Sequence, residues 1–522
     1  MEKVVSLCKR RGFIYQSSEI YGGINGFWDY GPLGAELKRN VKELWWNTMT
    51  RQREDVAGLE ATIIMSPEIW KASGHVATFS DPMIDCKTCK GRFRADQANE
   101  IPCLQKPSKM VSECHGEKTA PRAFNLMFQT FVGPVQDESA VAYLRPETAQ
   151  AIFAQFKNVL ETSRQKVPFG IGQVGKAFRN EVTPRNYTFR SREFEQMELE
   201  YFIKPDEVVE AISGAVATPA SKGHPGEPQP NWGWQLWHQY WVEERIKFYE
   251  GIGLPRTTLE EYWQKPEELA HYARATVDIL FKFPFGTQEL EGIAARGDFD
   301  LSQHERFSGK SMGVFDEELR AAWAKLPKEK QDDLWRRYYE NRKKYLEKSG
   351  VASEPAAKDA TEDANGLAKG QYIPHVIEPS AGVDRLILAL ICNAYSEVTE
   401  TDNKGKSETR VVLKFHPRVA PIKVGVLPLL KNKPALVQKA VEVRDLLRPW
   451  MNVFYDDAGS IGRRYARQDE AGTPFCVTVD FETLGEAGDN LKDTVTIRYR
   501  DDGKQERLPI SELLNWLLVK IR

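Results

Sequence analysis

The sequence predicts an α+β protein with a larger N-terminal part and a smaller α/β part at its C-terminal end. At 522 residues the chain is too long for one hydrophobic core, so two or three domains are expected. Two β-rich segments, at about 169–179 and 192–203, flank a polar turn at 183–186, which is typical of a long hairpin. From about residue 418 onward strands alternate with helices, which indicates a compact α/β domain.

The composition excludes several classes of protein. The chain is 41% hydrophobic and 28% charged with a net charge of -2, which does not fit a disordered or fibrous protein. Its longest apolar runs, such as 386–392, are too short to span a bilayer, and residues 1–6 lack the apolar region of a secretory signal. Seven cysteines, an odd number in a large chain, indicate reduced thiols. We therefore expect a cytoplasmic multidomain protein without membrane contact.

The first candidate element is a helix that begins at Gly31-Pro32. Proline suits the opening turn of a helix because its φ is fixed and it lacks an amide donor. Apolar residues then follow at helical spacing, at Leu33, Leu37, Val41, Leu44 and Trp45. The segment 61–65 (ATIIM) predicts a strand after this helix. Alone, these two elements indicate only a structural role.

The predicted hairpin carries an unusual density of charge. Guanidinium groups bind phosphate oxygens through forked hydrogen bonds, and carboxylates bind ammonium or amino groups. The aromatic ring of Phe194 could stack on a purine. The alternative is an exposed hairpin with surface ion pairs, which charge density alone does not exclude. The charged residues are Arg179, Arg185, Arg190 and Arg192, with Glu181, Glu193, Glu195, Glu198 and Glu200 between them.

A third constellation is Glu378-Pro-Ser-Ala-Gly382, followed by Val383-Asp384-Arg385 and an apolar helix. An apolar strand over 372–377 leads into it. Glycine at the strand-to-helix turn allows a ligand to approach the backbone, and the helix N-terminus favours an anion. An anionic ligand would explain Arg385 in the first helical turn, although a solvent-facing arginine is the alternative.

Other segments are predicted from pattern alone. Residues 205–348 have helical character, 349–370 resembles a linker, and 399–409 is polar throughout and typical of a mobile loop. The C-terminal elements are predicted strands at 422–427, 453–455, 475–479 and 494–499, with helices at 434–450 and 511–521. The polar loop before them indicates a domain boundary near residue 417.

Taken in order, these constellations resemble the three signature motifs of class II aminoacyl-tRNA synthetases. The helix at Gly31-Pro32 resembles motif 1, the segments 178–181 and 190–194 resemble motif 2, and Gly382–Arg385 resembles motif 3. Further segments are similar to glycyl-tRNA synthetases of the homodimeric class II kind, namely 93–96, 124–128, 131–133, 143–150, 194–198, 292–301 and 378–382. Two others, 460–465 and 469–474, are similar to the anticodon-binding domain of that family.

The resemblance implies a fold and an activity. Residues 1–417 would form the class II catalytic domain, an antiparallel β-sheet core flanked by helices, with a cysteine-containing insertion at about 85–122 and a largely helical one with a linker at about 205–370. Residues 418–522 would bind the anticodon. The implied reaction activates glycine with ATP, giving glycyl-adenylate and pyrophosphate, and then transfers glycine to the 3'-terminal adenosine of tRNA(Gly). A homodimer is implied by the family alone.

The resemblance also assigns roles to residues. Arg179 would hold the α-phosphate, Arg190 and Arg385 the outer phosphates, and these three are the candidate catalytic residues. Glu181 would bind the adenine amino group, Phe194 would stack on the base, and Glu289 would hold Mg²⁺. The full ATP-binding set is Arg179, Asn180, Glu181, Phe189, Arg190, Ser191, Arg192, Glu193, Phe194, Glu289, Leu290, Gly382, Val383, Asp384 and Arg385. The glycine-binding set is Arg94, Glu147, Phe194, Glu195, Gln196, Met197, Glu198, Glu378, Pro379, Ser380, Ala381 and Gly382.

Four cysteines allow a zinc site. Cys86 and Cys89 form half of a zinc knuckle, and Cys103 and Cys114 follow downstream. The second half is irregular, because Val111 stands where some relatives have its first cysteine. Zinc and four metal-free reduced thiols are therefore both open.

Two alternatives compete with the family assignment. A non-catalytic relative would retain the fold without ATP chemistry, but it would be expected to lack phosphate-binding arginines, and Arg179, Arg190 and Arg385 are all present. A class II synthetase for serine, threonine or proline is the other alternative. The segments that resemble the glycine enzymes argue against it.

Overall fold

The computed structural model describes residues 1–221, 223–270, 272–401, 407–486 and 488–521. Its α-helices are α1 (Glu2–Arg11), α2 (Pro32–Trp46), α3 (Pro67–Ala72), α4 (His75–Thr78), α5 (Ala149–Thr162), α6 (Asp206–Ser213), α7 (Trp234–Gly251), α8 (Phe299–Ser308), α9 (Glu317–Trp323), α10 (Lys328–Lys348), α11 (Ser353–Gly366), α12 (Val383–Ala394), α13 (Pro434–Leu447), α14 (Ile461–Ala471) and α15 (Ile510–Ile521).

The strands are β1 (Ile14–Gln16), β2 (Trp28–Tyr30), β3 (Val56–Gly58), β4 (Ser80–Asp85), β5 (Arg92–Arg94), β6 (Arg122–Asn125), β7 (Gln129–Phe131), β8 (Val141–Tyr143), β9 (Phe169–Phe178), β10 (Glu193–Ile203), β11 (Leu259–Trp263), β12 (Ala275–Phe283), β13 (Gly286–Gly297), β14 (Val314–Phe315), β15 (Gln371–Tyr372), β16 (His375–Gly382), β17 (Tyr395–Thr401), β18 (Ser407–Leu413), β19 (Val424–Pro428), β20 (Val453–Tyr455), β21 (Phe475–Val479), β22 (Thr494–Tyr499) and β23 (Gln505–Pro509).

A seven-stranded sheet forms the centre of the larger part. Its strand order is β11-β12-β13-β16-β10-β9-β3, and every neighbouring pair is antiparallel except β3 with β9. The predicted hairpin is β9 and β10, which pair from Phe178 with Glu193 to Phe169 with Phe202. The predicted antiparallel core flanked by helices is confirmed.

The side chains of β10 alternate between the two faces of the central sheet, because successive residues of a strand point to opposite sides. Met197, Leu199 and Tyr201 point into the core that the sheet shares with α2, α7 and α12. Phe202 points to the other face, where it packs on Phe156 of α5. The even-numbered residues of β10 from 194 to 200 therefore share the α5 face, and this face carries the candidate site.

The C-terminal part has a mixed five-stranded sheet of order β20-β19-β21-β22-β23. Strand β19 is parallel to β20 and β21, whereas β21, β22 and β23 run antiparallel. Helices α13 and α15 cover one face through Leu436, Val443 and Leu513. The predicted strands and the two predicted helices are present within a few residues, and α14 and β23 were not predicted.

The segment near residue 417, which connects the larger part to the C-terminal part, forms hydrogen bonds with both parts. Asn40 of α2 donates from Nδ2 to the carbonyl oxygens of Val419 and Ala420, at 3.2 and 3.0 Å. From the other side, the Arg500 guanidinium donates to the carbonyl oxygen of Phe415 at 2.8 Å. The connection near residue 417 is thus bonded to both of its neighbours.

The linker prediction is wrong, and three strands were missed before it. The linker predicted at 349–370 contains helix α11, whose stripe Ala356, Ala360 and Ala364 is fully buried. Alanines four residues apart form a narrow apolar face that a search for large apolar residues overlooks. The region 205–370 contains helices α6 to α11, but it also contains β11, β12 and β13, which the sequence analysis did not predict and which extend the central sheet.

The prediction of a loop at 399–409 is wrong at both ends of this segment, because each end belongs to a strand. Strands β17 and β18 pair from Tyr395 with Leu413 to Thr401 with Ser407, and residues 402–406 lie outside the described residues. The strand predicted at 61–65 is also wrong, because this segment makes only one bridge, from Ile64 to Leu144. The strand after α2 is β3, which begins earlier, at Val56.

Overpacking the alanine stripe of α11 should destabilise the protein. We expect Ala360→Leu to lower the free energy of unfolding by about 1–3 kcal/mol, because the side chain is fully buried against its neighbours. The control is Lys358→Leu on the exposed side of the same helix, which should change it by less than about 0.5 kcal/mol. Urea denaturation measures both. Equal effects would contradict the packing of α11.

Within the described residues, no helix has the length and apolar character that crossing a membrane requires.

Candidate active site

A cavity of about 190 Å³ opens on the α5 face of the sheet, between β10, β13, β16 and the start of α12. It brings together residues that lie far apart in sequence and that the sequence assigns to one nucleotide site. Its lining residues are Arg179, Glu181, Thr188, Phe189, Arg190, Ser191, Phe194, Gln196, Glu289, Ser380, Gly382, Asp384 and Arg385. Of these, only Thr188 was not predicted.

Arg179 lies beside Phe194 at one wall of the cavity. Its guanidinium carbon is 5.4 Å from the centre of the Phe194 ring and 5.5 Å from that of Phe79. Its Nε donates to the carbonyl oxygen of Pro146 at 3.0 Å. Among the described residues Arg179 forms no ion pair with a carboxylate, so its charge is available to an anion.

The other two candidate catalytic arginines each contact a carboxylate of the cavity. Arg190 Nε lies 3.0 Å from Glu181 Oε2, and burial lowers the pKa of Arg190 although Glu181 opposes this. Arg385 lies over the Phe189 ring at 4.6 Å, and its Nη1 is 3.3 Å from Glu289 Oε1. The cavity therefore holds three guanidinium groups, the arrangement that a polyphosphate requires.

A cluster of buried or half-buried carboxyl groups lies next to this cavity. We call it the acidic chamber, and it consists of Glu147, Glu198, Glu200, Glu378 and Asp300 around Arg296. Arg296 donates to both oxygens of Asp300, at 2.8 and 2.9 Å, and to Glu378 at 2.5 Å. The carboxyl oxygens of the chamber can accept hydrogen bonds from an ammonium group, and each carboxyl that ionises attracts it.

The chamber carboxyls differ in their pKa values. Burial raises the pKa of Glu378 to about 8 although Arg296 opposes it, and burial together with Glu147 raises that of Glu198. Burial also opposes ionisation of Glu147, but His75 and Arg296 hold its pKa below the usual range. Glu147 thus stays ionised while its neighbours hold protons more tightly.

Two cavity residues connect the cavity to the chamber. Ser380 donates from Oγ to Glu198 Oε1 at 2.7 Å, and Gln196 Nε2 lies 3.3 Å from the same oxygen. The Thr148 backbone amide donates to the second Glu198 oxygen at 3.0 Å. An anion-binding cavity and a cation-binding chamber are therefore contiguous, which suits a phosphate ester beside an ammonium group.

Three chamber residues were given no role by the sequence analysis: Glu200, which was named only among the charges of the hairpin, Arg296 and Asp300. Glu200 is fully buried, burial raises its pKa well above the usual range, and neither oxygen has a hydrogen-bond partner among the described residues. The period of a strand could have identified Glu200, because it lies two positions after Glu198 on the same face. Arg296 and Asp300 lie inside the segment 292–301 but were not singled out.

The structure contradicts the predicted glycine-binding role of Glu195 and Met197. Both are odd-numbered residues of β10 and point to the opposite face. The Glu195 carboxylate pairs with Lys38 and Lys42 of α2, each at 2.8 Å. Met197 is fully buried in the core. Runs of consecutive residues in a strand cannot all face one ligand, and this is the reason for the error.

Asp384 and Arg192 have structural partners. The Asp384 carboxylate accepts from Tyr30 at 2.6 Å, from Lys38 at 2.8 Å and from the Glu195 amide at 2.7 Å. Arg192 donates to the carbonyl oxygens of Glu181 and Asn25. These contacts hold the two side chains in place; Asp384 also lines the cavity, whereas Arg192 does not.

The remaining predicted residues lie around the site without lining the cavity. Arg94 pairs with Asp81 at 2.8 Å and with Asp96, and it is close enough to Glu181 and Arg190 for the charges to interact; its glycine role stays a prediction. Glu193 pairs with Lys176 on the outer side of the hairpin. Leu290, Pro379, Ala381 and Val383 are buried, and Asn180 donates its amide to the carbonyl oxygen of Leu126.

The four cysteines of the 85–122 segment lie close together. The Cys89 backbone amide donates to Cys86 Sγ at 3.5 Å, and the four thiols are close enough to shift one another's pKa values. Among the described residues, however, no group of three or more His, Cys, Asp or Glu side chains is arranged to hold a metal ion. The geometry therefore does not support the zinc site.

Comparison with known proteins assigns the chain to a family. Residues 130–220 match the family described as tRNA synthetase class II core domain (G, H, P, S and T), and residues 423–520 match the family described as anticodon binding domain. The chain is 43% identical to the glycine–tRNA ligase of Treponema denticola, over all of this chain and 97% of that protein. It is 42% identical to those of Thermus thermophilus and Thermobifida fusca, over all of this chain and 99% and 98% of theirs. Full-length identity at this level, together with the two matched domains, shows that the chain belongs to the glycine–tRNA ligase family.

Proposed function

We propose that this chain is a glycine–tRNA ligase that activates glycine with ATP and then transfers it to the 3'-terminal adenosine of tRNA(Gly). The observation that carries the proposal is the contiguity of the arginine-lined cavity and the acidic chamber, joined by Gln196 and Ser380. ATP would occupy the cavity with its phosphates near Arg179, Arg190 and Arg385, and the glycine ammonium group would occupy the chamber.

The activation step needs no protein nucleophile. A glycine carboxylate oxygen attacks the α-phosphorus, a new C–O–P linkage forms, and the bond to the leaving pyrophosphate breaks. Positioning and charge stabilisation are sufficient for such a step. Arg179 would hold the α-phosphate while negative charge develops on it, because its guanidinium is oriented by Pro146 and not neutralised by a carboxylate.

Mg²⁺ is the metal that the family implies, and the oxygen donors beside Arg385 fit it. The Glu289 side chain is 48% exposed at the cavity, and burial, with the nearby charge of Glu289, raises the pKa of Asp278 to about 6. Hard carboxylate oxygens and substrate phosphates are the ligands that Mg²⁺ prefers. Glu289 would hold the ion, which would neutralise charge on the outer phosphates.

Selection of glycine follows from the enclosure of the chamber. Every competing amino acid is larger, so its side chain would have to displace packed groups. Glu198 and Glu378 are both buried, and each is fixed by a hydrogen bond, to Ser380 or to Arg296. A rigid chamber of this kind discriminates by exclusion.

Glycine binding should depend on the ionisation of Glu378. Its pKa of about 8 leaves the carboxyl largely neutral at pH 6.5 and largely ionised at pH 8.5, and the ionised form attracts an ammonium group. We therefore expect the KM for glycine to fall several-fold, by about 3–10-fold, over this range. Pyrophosphate exchange at varied glycine measures it.

The control for this prediction is Glu378→Gln, which keeps the shape of the side chain but cannot ionise. Its KM for glycine should be higher and nearly independent of pH over the same range. A pH profile that is identical in the two proteins would assign the titration to another group, of which Glu198 and Glu200 are the nearest.

We further propose that residues 1–417 form the catalytic domain and that 418–522 bind the anticodon of tRNA(Gly). The separate sheet of the C-terminal part and its similarity to anticodon binding domains support this division. Filter binding of tRNA(Gly) transcripts with altered anticodons tests it. Equal affinity for all anticodons would contradict the proposed role.

We propose a homodimer that acts in the cytoplasm. Strand β3 lies at the edge of the central sheet directly after α2, the element that resembles motif 1, and an open edge strand is available for pairing with a second copy. Sedimentation equilibrium tests the dimer, and a mass of one chain at micromolar concentration would contradict it. Zinc at Cys86, Cys89, Cys103 and Cys114 stays a prediction that the arrangement of the described residues does not support, and metal analysis of purified protein decides between it and metal-free thiols.

The activity itself is tested by ATP–pyrophosphate exchange with glycine, serine, alanine and proline in parallel. We expect exchange with glycine alone, followed by charging of tRNA(Gly). Exchange with none of them would favour a non-catalytic relative, and exchange with serine or proline would favour a synthetase for another amino acid.

A further inference from the structure

We propose that Arg342, on helix α10 outside the central sheet, is a positioning residue for the amino-acid chamber. The inference rests on the proposed function, since the chamber is where glycine would bind. Helices α10 and α11 form an antiparallel pair that packs beside the sheet, and neither contributes a residue to the cavity lining. Their effect on the chamber is therefore indirect.

Arg342 is buried and fully engaged. It is 4% exposed, and its Nη1 donates to Asp298 Oδ2 at 2.5 Å and to Ser302 Oγ at 2.8 Å. Its Nε donates to Asp363 Oδ2 of α11 at 2.8 Å. A single guanidinium thus joins α11 to the beginning of α8.

Asp298 and Ser302, the two residues that Arg342 binds at α8, are the residues between which the first turn of this helix forms. Asp298 precedes α8 and accepts through its carbonyl oxygen from the Ser302 amide at 3.0 Å. Between them lies Asp300, whose carboxylate receives both nitrogens of the Arg296 fork. Arg296 in turn donates to Glu378. Arg342 therefore fixes the turn that orients Arg296, the guanidinium that binds Asp300 and Glu378.

A second contact from α10 reaches the same region. Tyr345, three residues after Arg342, accepts a hydrogen bond from Arg274, and Arg274 Nη1 lies 3.4 Å from Nδ1 of His375. His375 is on β16, three residues before Glu378. Burial and the charge of Arg274 lower the pKa of His375 to about 3, so its ring is neutral and cannot replace Arg342 as a partner for Asp298.

Removal of the Arg342 charge would leave Asp298 buried without its main counterion. Asp298 is 1% exposed, and against the effect of burial the charge of Arg342, with a smaller contribution from Arg274, holds its pKa below the usual range. Such a group must take up a proton or move toward another cation. Either response displaces the turn that carries Asp300, and with it the Arg296–Glu378 pair.

The test compares Arg342→Met with Arg336→Met. Arg336 lies on the same helix, is 56% exposed in its side chain and pairs only with Asp333 and Glu340 of that helix. In pyrophosphate exchange, Arg342→Met should raise the KM for glycine by about 10–100-fold and leave the KM for ATP within about twofold. The activation of alanine relative to glycine should increase. Arg336→Met should match the parent protein in all three quantities.

Two further experiments test the role of Arg342 even if Arg342→Met is inactive or does not fold. Amide hydrogen exchange of residues 298–302 should be faster in Arg342→Met than in Arg336→Met, a readout that does not require activity. If Arg342→Met does not fold, Asp363→Asn weakens the same clamp more gently, and Arg342→Lys should restore part of the glycine affinity in a protein that folds.

The outcomes separate the two proposals. Two results would overturn the role of Arg342. One is an equal change in the KM for glycine and in the KM for ATP. The other is no change in either KM together with an unchanged rate of amide hydrogen exchange at residues 298–302. Absence of glycine-dependent exchange in the parent protein would instead refute the proposed function, and the hydrogen-exchange comparison would still decide whether Arg342 holds the turn.

Discussion

Replacement of Arg179 by alanine is expected to slow glycine-dependent pyrophosphate exchange by about 10²–10³-fold, by analogy with the loss of one preorganised donor. The reason is its position: the guanidinium lies beside Phe194, is oriented by the Pro146 carbonyl and carries no carboxylate partner among the described residues. The effect should appear mainly in kcat, because the charge on the α-phosphate increases in the transition state.

The control for Arg179 is Arg320→Ala, which removes an exposed arginine paired with Glu317 on α9. It should leave exchange unchanged, and both variants should unfold at the temperature of the parent protein. Unchanged adenylate formation in Arg179→Ala would refute the role that we propose for this residue.

Replacement of Arg296 by methionine is expected to have the largest effect on stability. Arg296 is 4% exposed and is the guanidinium that compensates Asp300 and Glu378. Breaking a buried ion pair by removal of one partner costs about 3–5 kcal/mol, because the remaining charge is left uncompensated. We expect a loss of this size in the free energy of unfolding at pH 7, together with loss of glycine-dependent exchange.

The pH dependence of this loss identifies its cause. Glu378 keeps its proton in the folded protein up to about pH 8, so the loss of Arg296 affects this carboxyl only as the pH rises through about 8 and it ionises. Urea denaturation at pH 7 and pH 9 should therefore show a larger difference between variant and parent at pH 9. A difference that does not change between these pH values would show that Glu378 does not contribute to the loss.

Local patterns predicted the elements on which the fold depends. Helix α2 was predicted from proline followed by apolar residues at helical spacing, the β9–β10 hairpin from two β-rich runs around a polar turn, and α12 from an apolar run after glycine. Each pattern is complete within a short window of sequence. The stripe of α11 and the strands β11 to β13 were missed, because alanine is a weak apolar signal and these strands are recognisable mainly by their partners in the sheet.

The candidate site was predicted as a set of residues but not as a geometry. Arg179, Arg190, Arg385 and Phe194 share one cavity, as the three sequence motifs had suggested. The contacts of the acidic residues could not be inferred from the sequence. Glu195 and Glu198 are the same residue type, and they differ only in the face of β10 on which each side chain lies. Arg296 was missed for a related reason: its significance lies in Asp300 and Glu378, which only the tertiary structure brings to it.

The alternation of β10 limits how the chain can change in length. A shift of register by one residue would turn every side chain of the strand to the opposite face, so that Glu195 would enter the chamber while Glu198 and Glu200 would enter the apolar core. Insertions and deletions of single residues in homologous chains should therefore be confined to the turn at 183–189 and excluded from β10 itself. The length of β10 is therefore fixed by the requirement that each of its side chains stays on its own face of the sheet.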